Sequence, residues 1–206
     1  MSDLTADAGP PDTPDATTAA PRRVAPYIVL VVAVVLGVFF VVLVRAKADN
    51  NTDSADTPLL GKPAPAVHTT TLDGKTFDLQ RRKGSWVVLN FFNSTCVPCV
   101  QEHPELVKYA QEQAALGTDA TELYTVSWTD DLNNVKAFFA KNGGTWPVLT
   151  DSDASVAVAF GVAKVPETWI VNPDGIVVFR TINTVTADSL SRRVAALKTL
   201  YDQAAG

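Results

Sequence analysis

Ser85-Trp86-Val87-Val88-Leu89-Asn90-Phe91-Phe92-Asn93-Ser94-Thr95-Cys96-Val97-Pro98-Cys99 is the stretch on which the fold turns. Ser85 to Asn93 is a continuous apolar run of strand length, the pattern of a central strand buried on both faces. Cys96-Val97-Pro98-Cys99 follows it directly, and a helical stretch runs on through Leu106, Tyr109 and Ala110 towards Gly117. The chain has only two cysteines, and two residues separate them. A structural disulfide gains its effect from closing a long loop, so so short a bridge is a poor staple. A CxxC that leaves a buried strand and opens a helix reads as redox chemistry. The helix N-terminus brings partial positive charge and free amide protons to Cys96, which favours its thiolate. Cys99, one turn further in, is placed to attack only after a mixed disulfide has formed. Cys96 is thus the expected nucleophile and Cys99 the resolving thiol.

Further along, strand and helix signals alternate. Thr121 to Trp128 reads as a second strand, and Asp130 or Asp131 as the cap of a helix that shares Leu132, Val135 and Phe139 on one face before Gly143-Gly144. Asp153 to Phe160 reads as a short helix closed by Gly161. Glu167 to Val171 and Ile176 to Ile182 flank Asn172-Pro173-Asp174-Gly175, a hairpin turn signal. Thr186 caps a last helix carrying Leu190, Val194, Leu197 and Tyr201 on one face. This order describes an α/β layer fold with a central sheet flanked by helices on both faces.

Upstream of this domain, Val24 to Val44 contains no charge and is long enough, as a helix, to cross the ~30 Å hydrocarbon core. Residues 1–23 are rich in Pro, Ala, Thr and Asp and read as a disordered tail, 24–44 as a transmembrane anchor, 45–60 as a polar linker and 61–206 as the folded domain. A cleaved signal peptide is the alternative, since Ala46-Lys47-Ala48 resembles a cleavage site, but its apolar core is usually shorter. Arg22 and Arg23 before the span balance Arg45 and Lys47 after it, so the positive-inside rule gives no orientation. Disulfide chemistry belongs outside the cytosol, which places the domain on the extracytoplasmic side of the cell membrane and the tail in the cytoplasm. The net charge of −5 is spread without a basic stripe, so nucleic acid is not an expected partner.

Asn90 to Pro104, NFFNSTCVPCVQEHP, resembles the active-site segment of the TlpA, ResA and CcmG thioredoxin-like proteins, a CxxC followed by xxE and a proline. The resemblance extends to Gly61-Lys62-Pro63-Ala64-Pro65, to Leu72-Asp73-Gly74-Lys75, and to the stretch from Gly161 through Val165-Pro166-Glu167-Thr168 to Gly175, and so covers nearly all of 61–200. It implies a thioredoxin-like fold and a cis-proline, Pro166, beside the cysteines, with Val165 offering backbone groups to a substrate strand. Pro166-Glu167-Thr168 is closer to the CcmG (DsbE) branch, which implies a disulfide reductase of cytochrome c maturation. The implied partners are an apocytochrome c or another protein disulfide and a DsbD/CcdA-like transmembrane electron donor; no cofactor beyond the Cys96–Cys99 disulfide and no metal is implied. Glu102 is the expected acid near the thiols, able to raise their pKa and relay a proton, or else an exposed first-turn glutamate. Glu167 reads as an acidic feature by the cis-proline or as a solvated charge. Asn90 stands where thioredoxins proper carry a buried acid. Thr95 departs from the tryptophan that usually precedes the first cysteine, and all four tryptophans read first as packing residues.

Three rival functions compete with this one. Cys96, Cys99 and His103 fall at zero, three and seven on a helix, a soft-metal donor set for an assembly chaperone, although Pro104 is expected to disturb the helix and His68 is the only other histidine. A general extracytoplasmic disulfide oxidase would run the exchange in the opposite direction. A thiol peroxidase shares the fold, but the proline and threonine spacing ahead of its single reactive cysteine is absent from this sequence.

Overall fold

The computed structural model describes residues 25–48 and 56–205, which fall into two compact units divided after Asn50. The first contains the helix α1, Ala25–Ala48. Its described side chains, Tyr27 to Val41, are apolar and exposed. Among the described residues no helix is long and apolar enough to cross a membrane. The expected span starts at Val24, outside those residues, as do the 1–23 tail and linker residues 49–55.

The second unit is a thioredoxin-like α/β domain built on a mixed sheet. Its strands are β3 (Val87–Phe92), β4 (Glu122–Trp128), β5 (Val148–Asp151), β6 (Glu167–Val171) and β7 (Val177–Ile182), in the order β5-β4-β3-β6-β7. A small antiparallel ribbon, β1 (His68–Thr70) and β2 (Thr76–Asp78), precedes them. Every residue of β3 is buried, because the strand is central and covered on both faces. Val87, Leu89 and Phe91 point into one core with Phe77, Leu79, Phe160 and Trp169. Val88 points into the other, with Leu106 and Tyr109 of α2 (Val97–Ala114) and Leu190 and Val194 of α5 (Ala187–Ala205). Helix α4 (Ser155–Phe160) covers the first face, and Phe139 of α3 (Leu132–Asn142) packs against the second. The strand period of two therefore divides one apolar run between two cores.

β4 runs parallel to β3 and β6 antiparallel to it, with Phe91 opposite both Val126 and Glu167. The C-terminal end of β3, the start of α2 and the start of β6 consequently meet at one end of the sheet. The predicted hairpin is present, with Asn172 Oδ1 accepting the N–H groups of Asp174 and Ile176. Asp131 is the cap of α3, accepting from Asn133 and Asn134. Pro104 does not interrupt α2, contrary to expectation: the helix runs on to Ala114.

Candidate active site

Cys96 occupies the N-cap of α2 in an extended backbone conformation, with φ −76° and ψ 109°. Its Sγ lies 3.2 Å from the Cys99 backbone nitrogen, taking the place of a serine or aspartate cap oxygen. The sulfur therefore faces an amide donor at the positive end of an 18-residue helix, an environment that favours an anion over a neutral thiol. Here the two sulfurs are joined in a disulfide, Cα–Cα 5.3 Å. Cys99 is buried while Cys96 is partly exposed. Of the two, Cys96 is the one accessible from solvent. Opposite it, the Val165–Pro166 peptide is cis, and the Val165 carbonyl oxygen is 3.6 Å from Cys96 Sγ.

Glu102, one turn beyond Cys99, is only 2% exposed, which removes the surface-glutamate alternative. Oε1 accepts the Val185 N–H at 2.7 Å and Oε2 accepts Asn90 Nδ2 at 3.0 Å. Asn90 Nδ2 also donates to Thr168 Oγ1 at 3.1 Å, and its buried Oδ1 has no partner. Burial pushes the Glu102 carboxyl up to about 7, and the Val185 and Asn90 donors offset only part of that rise. A proton on Glu102 has an acceptor at hand, because rotation of the Asn90 amide turns Oδ1 towards it.

This raised pKa has a definite consequence for stability. Between about 4.5 and about 7 the folded chain holds a proton at Glu102 that the unfolded chain has released, so stability falls as pH rises through that window. Glu102→Gln removes the dependence. Unfolding free energies of the two proteins from urea titration are expected to differ by more at pH 8 than at pH 5, in favour of the glutamine variant, by on the order of 3 kcal/mol. Parallel curves would show that Glu102 titrates normally.

Glu167 is fully buried and therefore not a solvated charge. Arg180 of β7 holds it with two bonds, Nε–Oε1 at 2.8 Å and a second guanidinium nitrogen to Oε2 at 3.2 Å. The same guanidinium lies over the Trp169 ring at 5.0 Å and donates to the Asp56 carbonyl at 3.1 Å. Neither carboxylate thus offers an open acidic surface beside Cys96. His103 is buried as well: Nε2 is 2.9 Å from the Gly143 carbonyl, and the ring packs edge-on to Phe138 and Phe139. Burial lowers its pKa, and among the described residues no cluster of three or more metal ligands exists. The geometry does not give the donor set that the metal reading needs. Trp86, Trp146 and Trp169 are core residues, whereas Trp128 is half-buried and its carbonyl accepts from Asn93 Nδ2 at 3.2 Å.

Arg180 and Val185 carry no signal in the sequence, Thr168 is read there only as part of the Pro166-Glu167-Thr168 motif, and Asp130 only as an alternative to Asp131 as the cap of α3, a place that Asp131 takes. Val185 contributes only a backbone N–H, which no residue type signals, and Arg180 looks like an ordinary outward position of an edge strand.

The comparisons agree with this geometry. The AhpC/TSA family matches residues 60–180. Thiol:disulfide interchange protein HelX of Rhodobacter capsulatus is 31% identical over 155 residues, covering 74% of this chain and 84% of HelX. Thiol-disulfide oxidoreductase ResA of Bacillus subtilis is 31% identical, covering 61% of this chain and 69% of ResA. Among solved structures, MTB dsbF, described in mixed oxidised and reduced forms, superposes with a TM-score of 0.58 at 30% identity, covering 64% of this chain and 94% of dsbF.

Proposed function

Since the chain belongs to the AhpC/TSA family, among its thioredoxin-like ResA, CcmG and DsbE members, and is a thiol:disulfide oxidoreductase, we propose that it acts as a membrane-anchored extracytoplasmic disulfide reductase. The observation that carries this reading is the position of Cys96, a partly exposed residue whose sulfur caps α2 over the Cys99 amide and faces Val165. The Cys96 thiolate attacks one sulfur of a substrate disulfide, forming a mixed disulfide and releasing the other sulfur as a thiolate. Cys99 then attacks Cys96 Sγ, which closes the internal disulfide and frees the second substrate thiol. Two electrons and two protons pass to the substrate. A dithiol donor must return the electrons, and a DsbD/CcdA-like membrane protein has the right chemistry.

Glu102 supplies or takes up a proton in this cycle, its pKa of about 7 suiting exchange near neutrality. Val165 and Pro166 present the backbone edge along which the substrate segment lies, and Glu167 supports that edge from below through Arg180. Substrates of the CxxCH apocytochrome c type follow from the Pro166-Glu167-Thr168 resemblance. The charge-free run from Val24 to Val44 supports the anchor, and the redox pair supports an extracytoplasmic domain.

Cys99→Ala tests the order of events. The variant is expected to accumulate covalent adducts at Cys96 that reducing agent releases, visible as mass-shifted species on non-reducing gels. Sustained turnover without adducts would contradict the assignment of Cys99 as resolving thiol.

A further inference from the structure

The loop between β3 and α2 is only Asn93-Ser94-Thr95, yet it determines where Cys96 sits. Asn93 braces it internally: Oδ1 accepts the Thr95 N–H at 2.9 Å and the Thr95 hydroxyl at 2.7 Å, and the Asn93 carbonyl accepts the Cys96 N–H at 3.1 Å. The external ties come from the turn after β4. Trp128 offers its carbonyl to Asn93 Nδ2. Asp130 accepts the Ser94 N–H on Oδ2 and the Ser94 hydroxyl on Oδ1, the latter at 3.0 Å. Between those two residues Thr129 has φ 47°, a left-handed conformation that is costly for a β-branched side chain. Its N–H is fixed to the Asp151 carbonyl at 3.1 Å. A strained residue thus directs a carbonyl and a carboxylate at the same three-residue loop. Asp130 is free for this because Asp131 caps α3.

We propose that Asp130 is a positioning residue for the redox centre: through Ser94 it holds Cys96 at the cap of α2, where the Cys99 amide and the helix end stabilise the thiolate. The carboxylate has two opposing effects. As a bare negative charge near the loop it disfavours a thiolate; as a two-point acceptor for Ser94 it keeps Sγ in register with the helix N-terminus. Both carboxylate oxygens are engaged by Ser94, so in this proposal the positioning effect outweighs that of the charge.

The proposal rests on Cys96 being the nucleophile, and its test separates the two claims. The reduced full chain, in mild detergent, is alkylated with iodoacetamide across a range of pH, and each cysteine is followed by mass. Asp130→Ala is expected to raise the Cys96 pKa by about half a unit or more and to slow alkylation below that pKa roughly threefold. Asp130→Asn, which keeps an acceptor oxygen and removes the charge, is expected to stay at or below the wild-type pKa. A Cys96 pKa in Asp130→Ala equal to or below wild type overturns the proposal, because loss of a bare charge alone does that. Should Asp130→Ala fail to fold, Ser94→Ala removes only the hydroxyl bond: an upward shift supports the clamp and no shift overturns it. Alkylation of wild type at Cys99 instead of Cys96 would overturn the nucleophile assignment and the clamp together.

Discussion

Cys96→Ala abolishes disulfide reduction while leaving the domain folded. Cys96 is the partly exposed sulfur of the pair, and Cys99, at 1% exposure, has no open path to a polypeptide disulfide. The variant also loses the anion-stabilising arrangement, since the Cys99 amide no longer faces a sulfur. The disulfide itself spans a sequence separation of 3, so its removal costs the fold little. Turnover of a disulfide-containing protein by the full chain, supplied with a dithiol, is expected to fall to the background rate. Circular dichroism should remain that of the wild type. Retained activity would show that Cys99 or another group starts the exchange.

Arg180→Met should produce the largest loss of stability among the substitutions considered. It leaves the Glu167 carboxylate, fully buried beside the cis peptide, without its two guanidinium donors. Removing one partner of such a pair costs about 3–5 kcal/mol, whereas exchanging both for neutral groups of similar volume costs far less. The double variant Glu167→Gln, Arg180→Met should therefore recover much of what the single variant loses, as a denaturant-midpoint cycle will read. A single variant within about 0.5 kcal/mol of wild type would show that the pair is not what holds this corner of the sheet. The bond from Arg180 to the Asp56 carbonyl adds a further expectation: the chain leading into the domain loosens in the same variant.

The core of the fold was legible because β3 is an unbroken apolar run and the cysteines follow it without a gap. Hairpin, caps and last helix were equally readable from Asn172-Pro173-Asp174-Gly175, Asp131 and Thr186, whose chemistry is local. β5 does not stand out in the sequence because Val148–Asp151 is only 4 residues long, nor do β1 and β2, which have 3 residues each and too short a run to show a period of two. Pro104 was expected to disturb α2, yet the helix continues past it, showing that packing of Leu106 and Tyr109 outweighs one missing amide donor. In the site, Cys96, Cys99 and the carboxylate of Glu102 followed from spacing. The environment of Glu102 did not, because Val185 is 83 residues away and contributes through its backbone. His103 shows the limit of spacing alone: helical spacing offers it as a third donor only in the rival metal reading, and the structure places it in a pocket formed by Phe138, Phe139 and Trp146.

The central claim, that the Cys96–Cys99 pair is a reductant, is a statement about one equilibrium. The full chain in mild detergent is equilibrated in graded thiol–disulfide buffers and its free thiols are counted by mass after alkylation. A two-electron transition is expected near thioredoxin's value of about −270 mV, so that the dithiol gives its electrons to a more oxidising partner. A midpoint near the ~−120 mV of a strong oxidant would contradict it and make the chain a disulfide donor.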